Sequence, residues 1–436
     1  MNKKVLIISP YFPPSNTADM QRIRTSLPYF EAFGWEATVV VVDEKHSDTV
    51  KDGLLALSIP SSITIHKVKA LNKKLTGKLG LGSMALRSLP YYRKKVNHFL
   101  ETEKFDLIYF STTQFMITVL GAYWKKRFGI PYVIDMQDPW YSIHYKQKPK
   151  NQRPSKYYLA YALHKYLEPI AIKNADGLIS VSADYIQDLK DRYPVIAQTP
   201  NATITFGAFE PDNEIATAHE GNFISLLKPE FINVVYIGRG GTDMHKALTP
   251  VFEALKKGMI KEPDLFNKLK FYFIGTSYAP SGAGIFTILP LARQYGVESN
   301  IIEITDRVSY YHTMLTLQQA DALLIIGAED PKYTASKIYP YLLTKKPLVA
   351  IFNEQSNSVA VLNECAANTL LLTFGQHTEG LAGPLYTQFI DWANGRFKPI
   401  VLLPGFENYS AKNLTGKQID LFNQALKHFE AKGTNH

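Results

Sequence analysis

The chain carries a single cysteine, Cys365, in 436 residues. That excludes an intramolecular disulfide and any zinc or iron–sulfur site built from several cysteines. One thiol fits a reducing compartment, and the expected location is cytoplasmic. Long apolar runs are also missing. The longest, Ala322–Ala328, falls far short of the ~20 residues that a membrane-spanning helix needs. The amino terminus, MNKKVLIISPYFPP, begins like a secretion signal, but its apolar run stops at Ser9-Pro10 and reads better as a buried first strand. Nor does the chain lack what folding needs. With 46% hydrophobic and 20% charged residues it excludes disorder as its main state, and its length predicts two to four domains.

Charge is unevenly spread. Residues 1–215 hold 28 Lys and Arg against 20 Asp and Glu, whereas the remainder holds 20 against 19. Ile65–Lys104 has ten basic and two acidic residues, and His144–Lys173 has seven and one. Such patches attract phosphates or anionic lipid, or else form a solvated face. No nucleic-acid motif accompanies them, and no nucleic-acid partner is expected.

Short β-branched runs alternate with amphipathic segments. Strands are expected at Lys4–Ser9, Ala37–Val42, Ile63–Val68, Leu107–Phe110, Tyr132–Met136 and Gly177–Val181. A second series covers Asn233–Ile237, Lys270–Ile274, Asn300–Ile304, Ala322–Ile326, Pro347–Ile351 and Thr369–Leu372. Helices are expected near 19–33, 83–103, 114–127, 155–174, 183–192 and 416–432. Apolar strands separated by helices predict parallel sheets covered on both faces. Two series predict two doubly wound α/β domains, at residues 1–210 and 230–405. A polar linker is expected at 211–229, and a carboxyl-terminal helical segment at 406–436 caps the second domain or crosses back to the first. Ligands of such sheets bind at the carboxyl ends of the strands, with the cleft between the domains as the default site.

Four loops after strands carry the candidate chemistry. Ser9-Pro10-Tyr11-Phe12-Pro13-Pro14-Ser15-Asn16-Thr17-Ala18-Asp19 is held extended by its prolines and offers caps to a helix whose free N–H groups suit an anion, with Arg22 and Arg24 one turn in. Asp135-Met136-Gln137-Asp138-Pro139-Trp140 puts two acids and a tryptophan where burial is costly unless they are used. Tyr236-Ile237-Gly238-Arg239-Gly240-Gly241-Thr242-Asp243-Met244-His245-Lys246 lets backbone approach a ligand closely and adds two cations suited to a diphosphate. It is not a dinucleotide fingerprint, since Asp243 stands where the third glycine belongs. Gly327–Leu342 places Ser336 and Lys337 at a helix start, a compact phosphate site.

In this order, with "YVIDMQDPW", "YIGRGG…HKAL" and "ASKIYPYLLTKKPLVAI", the chain resembles GT-B glycosyltransferases, closest to the retaining, sugar-nucleotide-dependent family 4. The resemblance covers nearly the whole chain. It implies two Rossmann-like domains facing across a cleft, the first for an acceptor and the second for a nucleotide-diphosphate sugar. By position, Arg239 and Lys246 would hold the diphosphate, with Ser336 and Lys337 close to the phosphates. Gly238, Gly240, Glu329 and Tyr341 would lie against the donor sugar or ribose. Asp138 stands where relatives carry a His or Asp near the donor sugar, and either it or Asp19 would orient or deprotonate the acceptor hydroxyl. Asn16, Thr17, Arg22 and Trp140 would face the acceptor. Three features depart from the family: its glycine pair is replaced by Ser15–Ala18, and its two glutamates by Lys332 and Pro340, with Glu329 three residues out of register.

The chemistry implied is transfer of a sugar to a saccharide or polyprenyl-linked saccharide in surface polysaccharide synthesis. It calls for no metal and no cofactor beyond the donor, and no Asp-X-Asp pair occupies a strand end. The basic, aromatic-rich stretches Ser88–Lys95 and Tyr141–Tyr166 suggest peripheral attachment to an anionic membrane. A non-catalytic scaffold of the same fold, or a nucleotide-sugar epimerase, are the other function classes open to these motifs.

Overall fold

The computed structural model describes residues 2–78, 80–140, 157–330 and 337–433. The chain divides into two compact units, Met1–Phe206 with Ala411–His436, and Gly207–Ser410.

The first unit is built on seven strands: β1 (Lys3–Ile8), β2 (Trp35–Val42), β3 (Thr64–Val68), β4 (Leu107–Ser111), β5 (Tyr132–Met136), β6 (Gly177–Ser180) and β7 (Asn201–Thr203). All pair in parallel in the order β3-β2-β1-β4-β5-β6-β7. Alternation along β1 shows why the sheet is covered on both sides. Leu6 and Ile8 pack into one apolar cluster with Phe110, Trp124 and Ile134. Val5 and Ile7 pack into another with Trp35, Tyr109 and Phe422. That second layer is completed by the carboxyl-terminal helix Ala411–Gly433, whose Phe422 ring lies 4.9 Å from Tyr109 and 5.5 Å from Trp35.

The second unit repeats the plan with β8 (Ile232–Ile237), β9 (Leu269–Ile274), β10 (Ile301–Ile304), β11 (Ala322–Ile326), β12 (Leu348–Asn353), β13 (Ala366–Ala367), β14 (Leu370–Phe374) and β15 (Val401–Leu402). Six form a parallel sheet, β10-β9-β8-β11-β12-β14, and β13 pairs antiparallel with β15. Val234 and Tyr236 face one core, Val235 and Ile237 the other.

The order of the strands reverses between β1 and β4, and again between β8 and β11. Loops diverge to opposite faces at such a point and leave a crevice beyond the strand ends. The sequence motifs fall on these two reversals.

Local departures from expectation have local causes. The helix expected over 19–33 is Met20–Ser26 followed by two 3-10 turns, because Pro28 has no N–H to continue it. Residues 211–229, expected as a linker, belong to the second unit. Pro211–Ala218 is a helix there, and buried Asp212 accepts hydrogen bonds from the hydroxyls of Tyr310 (2.8 Å) and Tyr311 (2.9 Å). Its polar composition hid a buried anchor. β7, β13 and β15 have three residues or fewer, too few to show a period.

Candidate functional site

In the first unit, the reversal of strand order brings the loop after β1 against the loops after β4 and β5. Asp19 is buried, and its Oδ2 accepts three hydrogen bonds, from Thr112 Oγ1, Thr113 N and Thr113 Oγ1, each at 3.2 Å. The Gln137 amide donates to the Asp19 carbonyl (3.2 Å), to Ser111 Oγ (3.3 Å) and to Asp135 Oδ2 (2.8 Å). Asp138 is exposed beside this buried platform. Partial desolvation in its recess, and then the negative charge of Asp19, push its carboxyl above the ordinary range. Asp138 in turn helps to raise the neighbouring Tyr185 hydroxyl, after burial.

Two residues expected on the acceptor side, Arg22 and Trp140, are buried and hydrogen-bonded within the unit. Arg22 is buried; its Nε donates to Asp135 Oδ2 at 2.5 Å and its terminal nitrogens to the carbonyls of Ile204 (2.6 Å) and Thr205 (3.1 Å). The costly acid of the second motif is thus Asp135, neutralised by Arg22. Trp140 is buried against Phe115, with its indole N–H donating to His164 Nδ1 at 2.6 Å. Thr17 keeps its Oγ1 buried without a hydrogen-bond partner. Asn16 is half-buried, its backbone N–H donating to Val50 O at 2.8 Å. Arg24 too is buried, donating to Ser58 Oγ at 2.9 Å.

In the second unit, the glycine loop after β8 meets the start of the helix Ile338–Leu343. Gly238 takes φ of 155°, and a Cβ there would strike the Lys337 ammonium. A Cβ on Gly240 would stand 2.5 Å from Thr287 Oγ1. The Tyr236 hydroxyl donates to the Arg239 carbonyl (2.8 Å) and accepts from Lys337 Nζ (2.6 Å), which also lies 4.1 Å above the Tyr236 ring. Burial first, and then the charge of Arg239, bring the Lys337 ammonium down to about 7. Arg239 forms a two-pronged pair with Asp243, at 3.0 and 2.6 Å. Glu329, after β11, projects an exposed carboxylate while its N–H donates to Asp243 O at 2.9 Å.

Lys337 is thus close enough to Arg239 to feel its charge. Lys246 lies one residue into the helix His245–Lys261, with its ammonium 5.8 Å over the Phe374 ring. Tyr341, expected near the ribose, is buried; its hydroxyl accepts from Ile237 N (2.7 Å) and donates to Ile237 O (3.3 Å), tying its helix to β8. Ser336 and Lys332 lie outside the described residues.

The sequence reading missed Thr112 and Thr113, which fix Asp19; the run Ser111–Gln114 directly after a buried strand was the available signal. It also missed Glu303, whose carboxylate gathers the N–H groups of Thr287, Ile288 and Leu289 and the Thr276 hydroxyl, and so shapes the loop beside Gly240. Of the basic aromatic stretches, 141–156 lies outside the described residues. In 88–95, Tyr92 is a core residue whose hydroxyl donates to Val40 O at 3.2 Å. Among the described residues no helix is long and apolar enough to cross a membrane, and no group of three or more His, Cys, Asp and Glu is placed to hold a metal ion.

Two parallel doubly wound sheets in series have counterparts among solved structures. The N-terminal domain of Candida albicans trehalose-6-phosphate phosphatase aligns over 97% of this chain and 97% of its own, at 12% identity and a TM-score of 0.57. The fold is GT-B. Other similar GT-B structures include glycosyltransferases: WaaG, involved in lipopolysaccharide biosynthesis (16% identity, 98% and 99% of the chains, TM-score 0.48), and the lipopolysaccharide outer core galactosyltransferase WaaB (12%, 97% and 99%, 0.49). No family model and no curated protein matches the sequence.

Proposed function

We propose that this protein is a glycosyltransferase, moving a sugar from a nucleotide-diphosphate sugar to the hydroxyl of a saccharide or lipid-linked saccharide. The observation that carries the reading is the Gly238–Lys337 arrangement. A lysine is held against a side-chain-free backbone, desolvated and beside a second cation, which is an unfavourable place for an ammonium until an anion arrives. A diphosphate would supply that anion.

In this reading Lys337 and Arg239 stabilise the charge that develops on the departing diphosphate as the anomeric C–O bond breaks. Arg239 would exchange its Asp243 partner for phosphate oxygens, to which its planar fork is equally suited. Gly238 and Gly240 keep the backbone open to the ligand. Asp138, exposed and with its carboxyl raised above the ordinary range, would take the proton of the acceptor hydroxyl as the new C–O bond forms. Retention at the anomeric carbon follows the resemblance to family 4, as does a role in surface polysaccharide synthesis at the cytoplasmic side of a membrane.

A thermal-shift panel of nucleoside diphosphates and sugar nucleotides tests the reading. A ligand that binds only the native state adds about 2.7 kcal/mol at a hundredfold excess over Kd. The expected result is a shift with one nucleotide base, lost in Arg239→Ala and Lys337→Met. No shift with any of them would leave a scaffold without donor binding.

A further inference from the structure

Arg87, one turn into the helix Met84–Thr102, is a buried charge that the proposed reaction leaves unused. Its Nε donates to Leu71 O (2.7 Å) and its Nη2 to His46 O (3.1 Å), which ties the loops after β2 and β3 to the start of that helix. Neutral carbonyls thus take two of the five guanidinium donors, and Nη1 has no hydrogen-bond partner among the described residues. Nor does any carboxylate among those residues form an ion pair with Arg87. The acids of the neighbouring loop are taken elsewhere: Asp43 by Lys45 (2.8 Å), Glu44 by Lys67 (2.7 Å) and Asp48 by Lys73 (2.5 Å). Buried Arg22 of the same unit shows the contrast, since it meets Asp135 at 2.5 Å. Tying two carbonyls together needs no charge, and a guanidinium only 5% exposed without a counter-charge is costly.

Two further polar groups stand unsatisfied near it. The Tyr11 hydroxyl, in the loop after β1, makes no hydrogen bond among the described residues. Burial and then Asp19 raise it, while Arg87 lowers it, so it lies within reach of both charges. His46 Nε2 is buried without a partner. Burial lowers the His46 ring most; Asp43 raises it, and Lys45, Arg87 and the exposed Lys69 lower it further. Loops after β1, β2 and β3 therefore meet around one guanidinium, at the edge of the sheet that also carries Asp19 and Asp138.

We infer that Arg87, Tyr11 and His46 form a subsite for a compact anionic group, a phosphate or a carboxylate, carried by the acceptor. The Nη1 edge of the guanidinium offers two parallel donors to such a group, and the Tyr11 hydroxyl donates to a further oxygen. The anion supplies the counter-charge that Arg87 lacks, which a neutral sugar hydroxyl does not. Held there, it leaves the rest of the acceptor to reach toward Asp19 and Asp138. Naming the acceptor as its carrier rests on the transferase reading; the anion site itself does not.

The test is titration calorimetry of the full chain with inorganic phosphate, glucose 1-phosphate and glucuronate, with glucose as the neutral control. The second unit would also hold phosphate, so the titrations use Arg239→Ala/Lys337→Met. The anionic compounds are expected to bind and glucose is not. Adding Arg87→Gln should weaken them about tenfold or more, and adding Tyr11→Phe about threefold. Tighter binding of glucose 1-phosphate than of glucuronate assigns a phosphate, and the reverse a carboxylate. Tyr11→Phe removes a hydroxyl that bonds to nothing in the fold, so it remains a test should Arg87→Gln loosen the loops, and unaltered melting temperatures check both. Binding that neither variant weakens overturns the proposal, as does no binding of any anion. The nucleotide thermal shift is read separately on the wild-type protein. Anion binding without that shift sinks the transferase reading and leaves the subsite standing; the shift without anion binding does the reverse.

Discussion

The Lys337 ammonium sits 2.6 Å from the Tyr236 hydroxyl and 4.1 Å above its ring, directly beneath the glycine of the loop after β8. Residues 101 positions apart in the chain thus form one device. The Lys337 amine lies over the ring face, the hydroxyl passes on to the Arg239 carbonyl, and Gly238 leaves the space open.

That device predicts a pH signature. Lys337 titrates at about 7 when folded, against an ordinary 10.5. The unfolded chain therefore binds more protons between these values, and stability of the ligand-free protein rises as pH climbs from about 7 to about 10.5. A bound diphosphate would raise the folded value again. Affinity is then flat below pH 7 and falls up to tenfold per unit above it, until the pKa of the complex is reached. Lys337→Met should flatten both profiles, as read by titration calorimetry and thermal unfolding from pH 6 to 9.

Asp138 and Asp19 give a second pH test. The charge of Asp19 contributes to raising the Asp138 carboxyl, so Asp19→Asn should lower it and move the acid limb of kcat/KM to lower pH. Asp138→Asn should remove the limb and reduce turnover by roughly 10²–10⁴, the range for a positioned acid–base group. Nucleotide binding measured on the same proteins should be unchanged.

Arg22 is expected to matter for folding. Arg22→Met strands buried Asp135, whose Oδ1 already has no hydrogen-bond partner, and should cost about 3–5 kcal/mol in urea unfolding. Replacing both, as Arg22→Met/Asp135→Leu, should recover part of that loss.

Gly258, in the helix His245–Lys261, should resist the usual gain from alanine. Its Cβ would meet the Phe266 ring, which is buried and stacked on Tyr386 at 5.7 Å and has little room to give. Gly258→Ala is expected to destabilise by about 1–3 kcal/mol, against the ~1 kcal/mol that helix propensity alone would add.

The sequence by itself determined the sheets. Lys4–Ser9, Tyr132–Met136 and Ala322–Ile326 were legible as strands because parallel strands are buried on both faces, which leaves an unbroken β-branched run in the chain. It also placed the motifs at strand ends, since Pro, Gly and charged residues interrupt those runs. Only the tertiary structure decided which charges pair. Arg22 and Asp135 read as two functional candidates, yet they neutralise each other across 113 positions. Trp140 and Tyr341 read as ligand contacts, yet each uses its polar atom to tie one element to another. Lys246 and Lys337 both read as phosphate ligands, and it is the reversal of strand order between β8 and β11 that brings Lys337 to Arg239. Burial and pairing depend on which loops the sheet order sets side by side, and no local pattern of residues encodes that order.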